Sequence, residues 1–339
     1  MKRIKTSAPG KVILFGEHAV VYDKLGIAAS VDKRSLVKVI SAQEKISILS
    51  KNFNLEKSLS EDELLQLFEL IQSLKKDKNF DEIKELGKKD RLLPSFFVIS
   101  HLVKRYGFKP FRVEIDSEVP KNLGSSSSVF SSLALAVSRF LGKELSKEEI
   151  SRLAYEGDII AHGGTPSGID NSIVTYGGYL QYRKSEGVKR LKINFQLPLI
   201  FVDSGEPART GETVSYVRKQ REENEKFVNK ILNTLNEISF KSLDALKNQD
   251  LESFGKLMFN YYSELRKLNI STERLDKIVK IALESKALGV KPTGGWGGGC
   301  CIVLAENQKQ ANGLIKIFKK NGFNSFQTKI GVKGVREII

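Results

Sequence analysis

Two carboxylates near the middle of the chain sit where ordinary surface residues would not. In "SKEEISRLAYEGDIIAH", Ile150, Leu153, Ala154, Gly157 and Ala161 recur at helical spacing, and Asp158 falls on the same stripe. A carboxylate facing a core is costly unless a cation or a hydrogen-bond donor meets it. Asp158 is therefore either a helix-end acid paired with a Lys or Arg, or a metal ligand. Mg²⁺ suits the second reading, because it takes one or two carboxylates and completes its shell with phosphate oxygens and water. Asp170 lies in "GTPSGIDN", a segment dense in turn-forming residues. It either bonds its own backbone, as Asp does in turns, or orients or deprotonates a hydroxyl for attack on phosphorus.

Three further segments carry candidate chemistry. "GSSSSVFSSLALAV", 124 to 137, places four serines where an apolar helix should begin. Serine side chains can cap the unpaired N–H groups of a helix start, and the same N–H groups with the helix dipole can cradle a phosphate. "KPTGGWGGGC", 291 to 300, has five glycines in six positions, so its backbone is either merely flexible or free to approach a ligand and present N–H groups. It fits neither the P-loop nor the dinucleotide-binding pattern. Lys11, in "APGKVILFGEH", is either a solvated strand residue or part of a site with the nearby Glu17 and His18.

The elements that must position these residues follow from periodicity. The first 45 residues read as strands and turns, and residues 58 to 106 as helices. "FRVEIDSEVP" alternates like a half-buried strand and stops at Pro120. The serine-led helix puts Val129, Leu133, Val137 and Phe140 on one side and ends at Gly142; the next begins with a capping box, Ser146 to Glu149. Strands follow around "NSIVTYGGYLQYR" and "LPLIFVDS", then a helical stretch over 211–288, the glycine-rich loop, the strand "CCIVLA", a helix and a closing strand. The reading is an α+β chain of two domains, 1–185 and 186–339.

Composition narrows the function classes. With 339 residues and 40% hydrophobic content the chain can bury a sizeable core. No apolar run reaches the ~18 residues of a membrane span. Gly16 and Glu17 interrupt the first apolar run too early for a signal peptide, so a cytoplasmic location is expected. The net charge of +15 would attract anions, but the lysines are interleaved with Glu and Asp, and no nucleic-acid-binding pattern accompanies them. Neither nucleic acid nor membrane is expected as a partner. Cys300 and Cys301 are adjacent and read as reduced thiols, and the three histidines, His18, His101 and His162, lack metal-finger spacing.

Together "APGKVILFGEHAVVY", "VPKNLGSSSS" and "KPTGGWGGGCC" resemble the three motifs of the GHMP kinase family, in the family's order and across nearly the whole chain. "YEGDIIAHGGTPSGIDNSIVTYGGYL" is similar to the segment that carries the family's catalytic carboxylate. The resemblance implies the two-domain α+β GHMP kinase fold with its active site in the interdomain cleft. The opening motif looks most like that of members that phosphorylate (R)-mevalonate, with ATP as co-substrate and Mg²⁺ as cofactor. On this resemblance Asp170 accepts or orients the substrate hydroxyl proton, and Lys11 steadies that carboxylate and the attacking oxygen. Ser126 and Asp158 match the Mg²⁺ ligands. Pro120, Leu123, Gly124, Ser125, Ser126 and Ser127 form the nucleotide loop, which makes the serines a phosphate cradle. Glu17, His18 and Thr210, with Lys11 and Asp170, match positions lining the mevalonate pocket. Family members are often dimers, so the resemblance makes a homodimer possible without fixing the assembly.

The sequence also departs from the family's pattern. The nucleotide loop is one residue short between Pro120 and Leu123, and Ser127 and Ser128 stand where alanines are usual. Asp158 replaces the usual glutamate, Gly164 is an extra residue before "TPSG", and Trp296 occupies a glycine position, where it either walls a ligand or crowds the loop. The alternatives are a kinase acting on phosphomevalonate or on another mevalonate hydroxyl, or a non-catalytic metabolite-binding relative. Lys11, Ser126 and Asp170 together argue against the last, because a binding module needs no proton acceptor.

Overall fold

A computed structural model describes residues 2–164 and 166–338. Thr165, inside the "GTPSGIDN" segment, lies outside the described residues. In chain order the elements are β1 (Arg3–Phe15), β2 (Gly26–Ser41), β3 (Ile46–Ser50), β4 (Leu55–Leu59), α1 (Glu61–Lys76), α2 (Phe80–Lys89), α3 (Leu93–Tyr106), β5 (Phe111–Ser117), α4 (Ser125–Phe140), α5 (Lys147–His162) and α6 (Ile169–Tyr176). There follow β6 (Tyr179–Arg183), β7 (Gly187–Leu191), β8 (Leu199–Asp203), α7 (Thr210–Glu223), α8 (Glu225–Lys247), α9 (Leu251–Arg266), α10 (Glu273–Glu284), β9 (Gly289–Thr293), β10 (Cys300–Leu304), α11 (Gln308–Lys320), β11 (Asn324–Phe326) and β12 (Arg336–Glu337).

These elements form two units. The first comprises residues 1–11, 33–177 and 333–339, the second residues 12–32 and 178–332. The expected single boundary at 185/186 gives way to a division the chain crosses four times. The reason lies in β1 and β2, which are long strands, 13 and 16 residues, each contributing residues to both units.

The sheet of the first unit has the order β12-β1-β2-β5-β3-β4, with β3 parallel to β5. Period-two alternation decides its buried face: Val37 and Val39, Ile46 and Ile48, and Val113 and Ile115 join Phe96 and Phe97 of α3 and Leu133 and Val137 of α4 in one core. The predicted one-sided helix is in fact buried on nearly every side, which is why small residues (Ser131, Ser132, Ala134, Ala136, Ser138) alternate with large ones. Its buried hydroxyls find partners. Ser132 meets Thr6 of β1 and Ser131 meets Thr175 of α6, each at 2.8 Å. The capping box at Ser146 and Glu149 opens α5 as its sequence predicts.

The second unit holds an antiparallel sheet of order β11-β8-β10-β9 with helices α7 to α11, and the β6–β7 hairpin, which pairs with Gly26–Ala29 of β2. Buried runs Leu199–Val202 and Cys300–Leu304 form its central strands. Among the described residues no helix is long and apolar enough to cross a membrane.

Candidate active site

The serine segment enters through a 3₁₀ turn, Lys121–Leu123, anchored by buried Leu123 and preceded by Pro120. Gly124 then caps α4 with φ +81, a left-handed conformation. A Cβ at Gly124 would also lie 2.5 Å from Cγ of Lys11, so only glycine allows the loop to cross the lysine stem. No side chain caps the helix. The serines turn elsewhere: Ser127 Oγ donates to Asp158 Oδ2 at 2.7 Å, Ser128 Oγ donates to the Ala8 carbonyl at 2.8 Å, and Ser125 Oγ lies 3.4 Å from Ser117 Oγ. The capping reading therefore fails. What remains is a helix start whose N–H groups and dipole suit an anion.

The two carboxylates occupy contrasting environments. Asp170, in the first turn of α6, is met by Lys11 Nζ at 2.9 Å; the lysine side chain is 6% exposed and the aspartate 31%. A half-buried carboxylate held on one side by a cation and open on the other is placed to take a proton from a bound hydroxyl. Asp158 is 1% exposed on α5, as its place on the apolar stripe predicts. Its hydrogen-bond partner is the Ser127 hydroxyl and not the Lys or Arg of the simpler reading. Burial holds its carboxyl well above the usual range, with Ser127 and Lys11 opposing and the Asp170 charge adding to the shift.

Asp158 Oδ1 is buried without a hydrogen-bond partner, and the His162 imidazole, whose protonation burial disfavours, stands with Nε2 3.8 Å away. A buried carboxylate oxygen left unfilled, on an acid tied through Ser127 to the first turn of α4, is a hard oxygen donor that fits a divalent cation. Among the described residues no group of three or more His, Cys, Asp or Glu could hold a metal by itself. A cation here would draw its remaining ligands from phosphate and water.

The second unit carries the other expected residues. His18, at φ +59, is 5% exposed, and its Nε2 lies 3.0 Å from the Gly295 carbonyl. Burial pushes the imidazole pKa down to about 4, partly offset by this hydrogen bond. The ring is thus neutral near pH 7. Because a carbonyl only accepts, Nε2 carries the proton and Nδ1 keeps its lone pair. Thr213 Oγ1 donates to the same carbonyl at 2.6 Å, and Thr210, heading α7, lies so close that a Cβ on Gly295 would be 2.1 Å from its hydroxyl. His18, Thr210 and the glycine loop are brought together.

Glu17 is placed otherwise. Its carboxylate pairs with Lys291, both fully buried, and the lysine sits over the rings of Phe15 and Tyr261 at 5.7 and 5.3 Å. The Tyr261 hydroxyl donates to the Glu17 carbonyl at 2.9 Å. Glu17 thus supports the turn before His18 from behind. Trp296 is fully buried, with its ring stacked 5.9 Å from Tyr262, so it packs inside the unit, and its backbone keeps the positive φ, +62, of the glycine position it occupies. Sequence reasoning missed Lys291, Thr213 and the bond from Ser127 to Asp158. Of these only Lys291 left a signal, as a lone charge at the head of the glycine motif among apolar neighbours.

Residues 95–178 match the GHMP kinases N terminal domain and residues 242–324 the GHMP kinases C terminal domain, so the class is that of small-molecule kinases which take ATP as phosphate donor. The chain is 34% identical over 348 residues to the mevalonate kinase of Thermococcus sibiricus and 35% identical over 349 residues to that of Thermococcus onnurineus, with 98% of each chain covered in both cases. The crystal structure of the Methanococcus jannaschii mevalonate kinase matches with a TM-score of 0.80 at 27% identity, covering 97% of this chain and 98% of that one. The chain belongs to the mevalonate kinase family of the GHMP kinases.

Proposed function

We propose that this enzyme transfers the γ-phosphoryl group of ATP to the primary hydroxyl of (R)-mevalonate, giving (R)-5-phosphomevalonate for isoprenoid biosynthesis. The observation that carries the reading is the Lys11–Asp170 pair, a carboxylate held at 2.9 Å by a buried lysine and still partly exposed. In this role Asp170 accepts the hydroxyl proton as the oxygen attacks, and Lys11 fixes the carboxylate and stabilises charge on that oxygen. The loop from Pro120 to Ser127 holds the phosphates through the N–H groups of α4. Asp158, with Ser126, would hold Mg²⁺, which when bound neutralises phosphate charge as phosphorus changes partner. His18 and Thr210, with Glu17 behind them, serve mevalonate recognition on the family resemblance.

The likeness to mevalonate kinases over nearly the whole chain supports mevalonate as the substrate. The test is ADP release from Mg·ATP with (R)-mevalonate and, separately, with (R)-5-phosphomevalonate, the phosphorylated position being read by ³¹P NMR. Phosphate on the terminal hydroxyl of mevalonate is expected. Turnover on phosphomevalonate alone overturns the substrate and keeps the kinase.

A further inference from the structure

Ser127 is buried to 1%, and its hydroxyl is committed to one oxygen of a carboxylate that is itself 1% exposed. The neighbouring hydroxyl, Ser128, is committed to the Ala8 carbonyl. A carboxylate at the end of a short side chain turns easily about its last torsion, so a bare buried aspartate would share its two oxygens between orientations. One donor at 2.7 Å breaks that equivalence. Oδ2 is occupied by protein, and Oδ1 is left buried with no hydrogen-bond partner. An unsatisfied buried oxygen of this kind is destabilising until something fills it.

We propose that Ser127 is a positioning residue for the metal ligand Asp158: it binds Oδ2 so that Oδ1 alone, in a fixed orientation, faces the cation. The inference rests on the kinase reading above and assigns Ser127 a place behind the ligand, where the motif resemblance counted it in the nucleotide loop. It also accounts for two departures at once. The aspartate, one methylene shorter than the usual glutamate, coexists with a serine where alanine is usual, and the serine hydroxyl spans the space to Oδ2 that the shorter acid leaves. Asp158 is then a one-oxygen ligand, with the rest of the shell coming from Ser126, phosphate and water.

The test uses the full chain with a non-hydrolysable ATP analogue, Mn²⁺ as the probe ion and the electron paramagnetic resonance of free Mn²⁺ as readout. Ser127→Ala is expected to weaken Mn²⁺ binding about tenfold or more, since losing a residue behind a metal ligand costs about 10–100-fold in affinity. Binding of the analogue without metal should weaken far less than Mn²⁺ binding, because the substitution keeps the backbone N–H groups of the loop. Ser127→Thr, which keeps the hydroxyl, should bind Mn²⁺ as wild type does. Ser127→Ala combined with Asp158→Glu should recover most of the loss, and thermal unfolding of each variant reports whether it is folded. Wild-type Mn²⁺ affinity in Ser127→Ala, or no recovery in the double variant, overturns the positioning role while leaving the kinase reading intact. A wild-type protein that phosphorylates mevalonate but whose Mn²⁺ affinity is unaffected by Asp158→Ala overturns the metal role of Asp158 and this inference with it.

Discussion

Asp158 and Asp170 are the same residue type in neighbouring helices, yet their surroundings divide their work. Asp170 keeps a face open and a lysine at its back, which supports the proposed role of proton acceptor. Asp170→Asn keeps the shape and removes the acceptor; turnover should fall by about 10²–10⁴-fold with nucleotide binding retained, measured by steady-state kinetics and calorimetric titration. His18 is one of the residues whose burial makes folding pH-dependent, with His101 and His162 shifted the same way. Its pKa falls from 6.5 to about 4 on folding, so between those values the unfolded chain binds a proton that the folded chain refuses. The contribution is whole above pH 6.5, declines as pH falls towards 4, and amounts to about 2 kcal/mol lost between pH 7 and 5. Denaturant unfolding at the two pH values, compared with His18→Asn, should show that difference shrink in the variant. Asparagine suits the test because it keeps a polar side chain with an N–H donor and does not titrate.

Among the elements, α4 does most to assemble the candidate site. Its first turn meets Asp158 through Ser127 and β1 through Ser128, and its capping glycine lies across the stem of Lys11. The glycine-led serine loop, the Asp158 carboxylate and the lysine are therefore set by one helix. Gly124→Ala tests that linkage. The left-handed backbone alone should cost about 1–2 kcal/mol. The added methyl also displaces Lys11 from Asp170, and a misplacement of about 1 Å in a reacting group can cost about 10²-fold in rate. A thermal melt and kcat measured together should show a modest loss of stability beside a large loss of turnover. Unchanged kcat would mean the loop does not govern the lysine.

For the whole molecule, the discontinuous units make a claim about folding. A fragment of residues 1–185 lacks β12, which pairs with β1 at Thr6 and Ser7, and carries residues 12–32 and 178–185 without the remainder of their unit. A fragment of residues 186–339 lacks those same residues, Glu17 and His18 among them. Neither fragment should show native-like circular dichroism or resistance to limited proteolysis when expressed alone. Two separately folded fragments would restore the linear boundary that the sequence suggested.

Local patterns made much of this protein legible from sequence alone. Alternation in "FRVEIDS", the Ser146–Glu149 box and the apolar stripe through Asp158 each report on residues within a turn or a pleat of one another, which is the range of helical and strand periodicity. Ordered motifs then carried Lys11, Asp170 and the glycine-led serine loop to a kinase family. What only the tertiary structure decided are partnerships between residues far apart in the chain. Ser127 rather than a lysine meets Asp158, Lys291 takes the Glu17 carboxylate, Trp296 buries itself against Tyr262, and two strands each serve both units. No periodicity encodes such pairings, because each depends on which buried charge or ring the folded chain must satisfy, and a desolvated group is satisfied by whatever the packing brings within about 3 Å of it.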